Sequence, residues 1–252
     1  RRTKTSSKGL EYLKTLDRIK QFDIRKEMET LSGRNKERLK YEGQVIFLPY
    51  IPDQDIASDF DYIQDKSELV WDFSQKVPET LKKQIFQILC YALRNIKDSK
   101  DRRVRYLLPL RWMYEFCVEE GIDDIERLEL EQIKKLETIV ARKVANVKNS
   151  MQIVDNSRKI LFMSGKEIHW HANVWYMERF NFAPERVNPS NPVQRLSFYE
   201  VTNERNRELL QEYMKYQVGI GDLALGNIRN QLCYIKKFLV YFNTLESICE
   251  IT

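Results

Sequence analysis

Residues 100–136 read KDRRVRYLLPLRWMYEFCVEEGIDDIERLELEQIKKL, and the organisation of the chain can be built outward from them. Lys100 and three arginines, Arg102, Arg103 and Arg105, come first. Leu107, Leu110, Tyr114 and Cys117 follow at steps of three and four, which puts them on one face of a helix. Pro109 lies inside that helix. It has no N–H to offer the carbonyl of Arg105, so a kink is expected there. Gly121 comes after the last charged turn and reads as a glycine stop. A short acidic loop leads to Leu128, and a second helix starts near Leu130.

A second stretch, residues 226–252, reads GNIRNQLCYIKKFLVYFNTLESICEIT. An offset of about 125 residues sets Asn227 on Arg102, Gln231 on Tyr106, Ile235 on Leu110, Phe238 on Met113 and Tyr241 on Phe116. After a two-residue deletion, Ile248 falls on Ile125 and Ile251 on Leu128. Self-similarity at a fixed offset points to a duplicated helical unit. Two unrelated amphipathic helices would also look alike, but the trailing turn matches as well.

The chain has 252 residues, eight Gly and seven Pro, and is 42% hydrophobic and 12% aromatic. That length supports a real core, and so few turn residues favour helices over a strand-rich sandwich. Cys90, Cys117, Cys233 and Cys249 stand apart with no C-x-x-C pair. Three of them fall on predicted helices and read as core fillers, and the set suits a reducing compartment rather than zinc or redox motifs. No window approaches the ~18 apolar residues of a membrane span, and no apolar signal-peptide core opens the chain. The chain starts without Met and stops on Thr252, so a longer natural protein is expected.

Net charge is +5, and residues 1–40 hold thirteen Lys/Arg against six Asp/Glu, leaving about −2 for the remainder. Basic charge is thus concentrated at the N-terminus and at the starts of the repeated helices. An anionic polymer is the natural partner; a solvated basic face is the alternative.

Other elements follow in chain order. Leu10, Leu13, Leu16, Ile19 and Phe22 predict a helix broken near Ser32–Gly33. Residues 43–50, GQVIFLPY, read as one short strand or an extended packed segment. Residues 53–72 carry seven carboxylates without a calcium-loop pattern, and read as surface acids that keep this segment off DNA. A helix starts at Pro78 and carries Leu81, Ile85, Ile88, Leu89, Ala92 and Ile96. Helices over 100–120, 130–147 and 151–165 complete this group. Residues 167–196 hold Trp170, Trp175, Tyr176, Phe180 and Phe182 and two Asn-Pro steps, and read as an aromatic connector. Those rings either pack in a core or stack on exposed bases; duplex DNA offers few open base faces, which favours the core. Thr202 or Asn203 caps a helix with Leu209, Leu210, Tyr213, Met214 and Tyr216 as its apolar face, ended by Gly219 and Gly221.

The repeated stretch resembles the core-binding, SAM-like domain of tyrosine recombinases, the phage-integrase family. Members tend to carry a Thr, then Tyr, Leu and Phe on one helical face, then a turn and a new helix. Tyr106, Leu110, Met113 and Phe116 stand in those places, and Arg102 replaces the usual Thr. The resemblance implies a mainly α chain of two tandem core-binding units. The implied layout is a basic N-terminal element with an extended segment (1–70), a first unit (71–166), the connector (167–196) and a truncated second unit (197–252).

The implied function is the site-specific DNA-binding region of a recombinase encoded by a mobile element, acting in DNA integration or transposition. It would hold double-stranded DNA while the parent self-associates on it, in the cytoplasm of a bacterium, at the nucleoid. Lys100, Arg102, Arg103 and Arg105 would meet phosphates and guanine edges. Lys148, Asn149, Gln152, Arg158 and Lys159 would form a second contact row, and Asn227, Arg229, Asn230, Lys236 and Lys237 would serve in the second copy. The rival reading is a helical protein-interaction module with no nucleic acid in its function and the aromatic connector as its groove.

Catalysis is not expected of this chain. The family's H-x-x-R signature is missing, because neither His169 nor His171 is followed three residues on by arginine. His169-x-His171 lacks a third metal ligand nearby. No P-loop, G-x-G-x-x-G or G-x-S-x-G is present. No catalytic residue, metal or cofactor is assigned.

Overall fold

The computed structural model describes residues 45–51, 53–63, 66–74 and 76–243. The expected helix over residues 10–22 and the turn at Ile248 and Ile251 lie outside the described residues. Helices dominate what is described; the strands form two sheets of two strands each. The chain divides into two compact units, Arg1–Val118 and Glu119–Thr252. The division falls inside the stretch 71–166 that the resemblance treats as one domain.

In the first unit, β1 (Val45–Phe47) pairs antiparallel with β2 (Val70–Asp72), with Ile46 opposite Trp71. Every residue of both strands is buried, so the β-branched run of residues 45–47 is a core strand rather than a solvent-facing edge. Sequence reading missed β2 because three residues are too short for a period. Between the strands, Asp53 caps the short helix α1 (Gln54–Ser58) by accepting the Ile56 N–H at 3.2 Å. α2 (Glu79–Asn95) starts directly after Pro78 and buries Leu81, Ile85, Ile88, Leu89 and Ala92. Each such aliphatic side chain contributes about 1.5–3 kcal/mol when fully buried.

The next helix begins as α3 (Ser99–Asp101), where Asp98 accepts the Asp101 N–H at 2.7 Å. It then widens into a π-helical stretch, Arg102–Leu107, and continues as α4 (Leu108–Glu119). The Leu108 N–H reaches back five residues to the carbonyl of Arg103. The expected break at Pro109 therefore takes the form of a change of register. A wider turn moves the ring away from the carbonyl it would strike and re-pairs the backbone just before the missing donor. Leu110, Met113, Tyr114, Phe116 and Cys117 are buried on α4. The Tyr114 hydroxyl donates to the Asp72 carbonyl at 3.1 Å, and burial pushes that phenol up to about 12. Gly121 has φ +68° with open space around it, so the left-handed backbone alone demands glycine there.

In the second unit, α5 (Leu130–Ala141) opens with a capping box in which the Glu129 N–H donates to the Gln132 side chain at 2.8 Å. α6 (Val147–Ser164) starts where the Asn146 side chain accepts the Asn149 N–H. The third helix thus stops about two turns earlier than expected, and the fourth starts a turn earlier. Asn146 is the cap that sequence reading overlooked.

Residues 167–196 do not form a connector. β3 (Val174–Tyr176) pairs antiparallel with β4 (Arg195–Ser197), with Trp175 opposite Leu196. Trp175 is fully buried; its ring meets Trp170 edge-on at 4.9 Å and Phe198 at 4.6 Å. These rings belong to the core of the second unit, together with Phe162, Leu210, Met214, Val218, Ile228 and Leu232.

α7 (Glu204–Gly219) is capped by Asn203, which accepts the Asn206 N–H at 3.0 Å. Its buried side is Asn206, Arg207, Leu210, Gln211, Met214 and Val218; Leu209, Tyr213 and Tyr216 are exposed, contrary to the apolar face read from sequence. α8 (Leu225–Asn243) buries Leu225, Ile228 and Leu232. The proposed equivalence to the first copy fails in its packing. Leu110, Met113 and Phe116 are buried, whereas Ile235 is half-buried and Phe238 and Tyr241 are exposed.

Candidate nucleic-acid interface

The fourteen candidate contact residues divide by what the fold does with them. Arg102 is 4% exposed. Its guanidinium donates to Asp59 at 2.5 Å and to the carbonyls of Ile96 and Lys97 at 2.9 and 3.4 Å. Arg158 is 2% exposed; it donates to the Leu128 carbonyl and lies over the Tyr199 ring. Burial lowers its pKa, and its Nε finds no partner. Both arginines are committed to their own units, so their assignment to a DNA surface is corrected.

Three further cations are engaged, Arg103 and Lys236 half-buried and Lys159 exposed. Arg103 donates to Glu68 at 2.6 Å, Lys159 pairs with Glu178 at 2.9 Å, and Lys236 with Glu200 at 2.8 Å. Several of the carboxylates of residues 53–72 are therefore built into the fold: Asp53 caps α1, Asp59 and Glu68 hold arginines, and Asp72 accepts from Ser74. Arg105 is exposed and meets Asp101 one turn back at 3.3 Å, a geometry of small energy.

Two exposed surfaces remain in the second unit. One surrounds the start of α6. Lys148 and Gln152 are exposed there, Asn149 is half-buried, and Arg142 and Lys143 in the preceding turn are exposed too. Arg142 and Lys143 were missed in sequence, because a helix carried to residue 147 hides a basic turn. The second surface is α8. From Leu225 to Asn243 it has Arg229, Lys236 and Lys237 and not one carboxylate. Asn227, Asn230 and Lys237 are exposed, and Arg229 is half-buried. In the first unit, Lys100 and Arg105 are the exposed members of the original cluster.

His169 and His171 have an internal role. His169 Nδ1 lies 2.7 Å from the Glu126 carboxylate and His171 Nε2 lies 3.4 Å from that of Asp124, with the two rings stacked at 5.7 Å. Burial raises the Glu126 carboxyl, opposed by His169. The Asp124 carboxylate holds His171 above the usual histidine range, against burial. Gly165 leaves room for the His169 ring; a Cβ there would come within 2.8 Å of Nε2. Among the described residues, no group of three or more His, Cys, Asp or Glu could hold a metal ion.

A groove of about 610 Å³ opens beside α6 and β3, lined by Phe180, Phe182, Val187 and Pro192 among others. Its cations Lys159 and Arg195 are paired with Glu178 and Asp155, so it presents no bare charge to a phosphate. Among the described residues, no helix is long and apolar enough to cross a membrane. Comparison with protein-family models, curated proteins and solved structures finds no match to the chain.

Proposed function

We propose that this chain is a double-stranded-DNA-binding region of a tyrosine-type recombinase from a bacterial mobile element, acting at the nucleoid in integration or transposition. The observation that carries the reading is a nineteen-residue helix, α8, with three cations, a polar exposed start and no carboxylate. Lys236 is held by Glu200 within the unit, but Arg229 and Lys237 have no carboxylate on their own helix, and a polyanion turns such charges into binding energy by releasing counterions. The exposed basic turn before α6 adds a second patch in the same unit. Resemblance of residues 100–136 to core-binding domains suggests the family; residues 226–243 share its spacing but not its packing. Strand cleavage is assigned to a catalytic domain outside this sequence, and the parent recombinase self-associates on its site.

The working contact set is Lys148, Asn149, Gln152, Asn227, Arg229, Asn230 and Lys237 in the second unit, with Lys100 and Arg105 in the first. Arg142 and Lys143 join it. Lysines here would hold phosphate; Gln152 and the asparagines have the paired donor and acceptor that reads adenine. The test compares Lys148→Ala and Lys237→Ala with Gln152→Ala on a cognate and a scrambled duplex. The lysine variants should weaken both duplexes alike, and Gln152→Ala should lower the preference between them by about 1–3 kcal/mol. If none of the three changes binding, the reading fails. The rival, a helical protein-interaction module, would draw on the exposed rings near the end of α8.

A further inference from the structure

The groove beside α6 and β3 has a volume of about 610 Å³, which suits one small molecule. Trp175 is spent on the core of the unit, but Phe180 and Phe182 are half-buried and line the groove, with ring centroids 5.5 Å apart. Phe182 is held in place from one side. The Arg186 guanidinium lies over its ring at 5.1 Å and is itself fixed by the carbonyls of Leu223 and Val218 at 3.0 and 3.1 Å. An aromatic wall is therefore set before any ligand arrives, and little ordering is left to oppose binding.

Charge and polarity narrow the ligand. The charged residues of the lining are Lys159, Arg195, Glu178 and Asp155, and they form two ion pairs. The walls thus carry no net charge, and an anion meets no unmatched cation there. The Tyr176 hydroxyl donates to the Asp155 carbonyl at 3.0 Å. What remains polar is three carboxamides, Asn156, Asn181 and Gln194. Among the described residues, none of the three has a side-chain hydrogen-bond partner. Each sets an N–H donor beside a C=O acceptor. They come from α6, from the segment after β3 and from the residue before β4, so they meet around a compact ligand rather than running along an extended one. A flat, neutral ring with a donor and an acceptor on its edge answers both demands. Its face covers an aromatic wall, and its edge pairs with a carboxamide as adenine does.

We infer that this groove binds an uncharged purine base, stacked on Phe182 and held at its edge by Asn181 and Gln194. The base is carried either by a free nucleoside or by an unpaired position of a strand. Duplex contacts of the basic patches play no part in it, so the site stands or falls apart from the DNA-binding reading.

Equilibrium dialysis of the 252-residue chain against adenosine and against adenosine monophosphate tests it. Adenosine should bind with a Kd of roughly 0.1 mM, and the monophosphate no more tightly. Asn181 and Gln194 are exposed, so replacing both with Ala spares the fold and should weaken adenosine at least about tenfold. Phe182→Leu keeps the apolar filling, removes the stacking face and should weaken it at least about fivefold. A second arm compares a duplex with one extrahelical adenine and the same duplex with an abasic residue there. Tighter binding of the first, lost in the double variant, assigns the base to a strand; equal binding of the two assigns it to a free nucleoside. Adenosine that does not bind at millimolar concentration overturns the inference. Binding unchanged in the double variant and in Phe182→Leu does so too, as does a monophosphate that binds tenfold more tightly than adenosine. Adenosine binding in a chain that holds neither duplex would leave the site standing and remove the DNA-binding reading instead.

Discussion

Replacing Arg102 with alanine should cost far more stability than replacing Arg105, although the two lie three residues apart in the same basic cluster. Arg102 is buried and makes two well-formed bonds, to the Ile96 carbonyl at 2.9 Å and to the Asp59 carboxylate at 2.5 Å. Bonds to a charged group contribute about 1.5–3 kcal/mol each. The Asp59 side chain is 33% exposed, so water takes up part of what it loses, and its share falls to the low end of that range. The Ile96 carbonyl loses its guanidinium partner as well. Arg102→Ala should therefore destabilise the first unit by roughly 2–4 kcal/mol. Arg105 is about half exposed and pairs with Asp101 within one turn, so Arg105→Ala should cost no more than about 0.5 kcal/mol. Urea unfolding of both variants against the parent chain, followed by the fluorescence of Trp71, Trp112, Trp170 and Trp175, measures the difference. A loss under about 1 kcal/mol for Arg102→Ala, together with weakened DNA binding, would refute the structural role and return Arg102 to the contact surface.

Arg158 offers a second, opposite test. The Leu128 carbonyl it binds also receives the Asn173 amide at 3.2 Å, and its own Nε is unpartnered. Arg158→Met should thus stay within about 1 kcal/mol of the parent in urea unfolding and leave DNA affinity unchanged. A third prediction concerns pH. His171 is raised by Asp124, so its contribution is complete below the unfolded value of about 6.5 and is lost as pH rises through the folded value. Glu126 is raised by burial, and the stability tied to its proton is likewise lost as pH climbs above about 4.5. Thermal unfolding of the second unit should accordingly come at lower temperature at pH 8 than at pH 6, and His171→Gln should flatten the trend. A midpoint that rises over the same interval would contradict the pairing.

The helices were legible in sequence wherever apolar residues recur over three or more turns. The helix begun at Pro78 and the one over 100–120 came out within two or three residues; Gly121 marked the end of α4, and Asn203, one of two caps read for it, marked the start of α7. Elements shorter than a period were not legible. β2, β3 and β4 have three residues each, and antiparallel pairing between distant segments decides their existence. The aromatic stretch 167–196 looked like a connector because its Asn-Pro steps suggest loop; the pairing of Trp175 with Leu196 makes it core.

Site residues were harder to place for a related reason. A basic residue looks the same in sequence whether it is solvated or buried. Only the three-dimensional arrival of Asp59 at Arg102, or of the Leu128 carbonyl at Arg158, tells the two apart. The match between Leu110 and Ile235 shows the same limit: equal spacing fixes a face, and the neighbours decide whether that face is covered.

Binding of the chain to duplex DNA, measured across salt concentration, tests the central claim most directly. Neutralising phosphates with Lys148, Arg229, Lys237 and their neighbours releases counterions, so affinity should fall steeply and linearly on a double-logarithmic plot. Each phosphate engaged adds about 0.9 to the slope. A slope of about three or more, reduced by about one in Lys237→Ala, is the predicted result. Affinity that is absent at low salt, or that stays level as salt rises, would contradict a DNA-binding role.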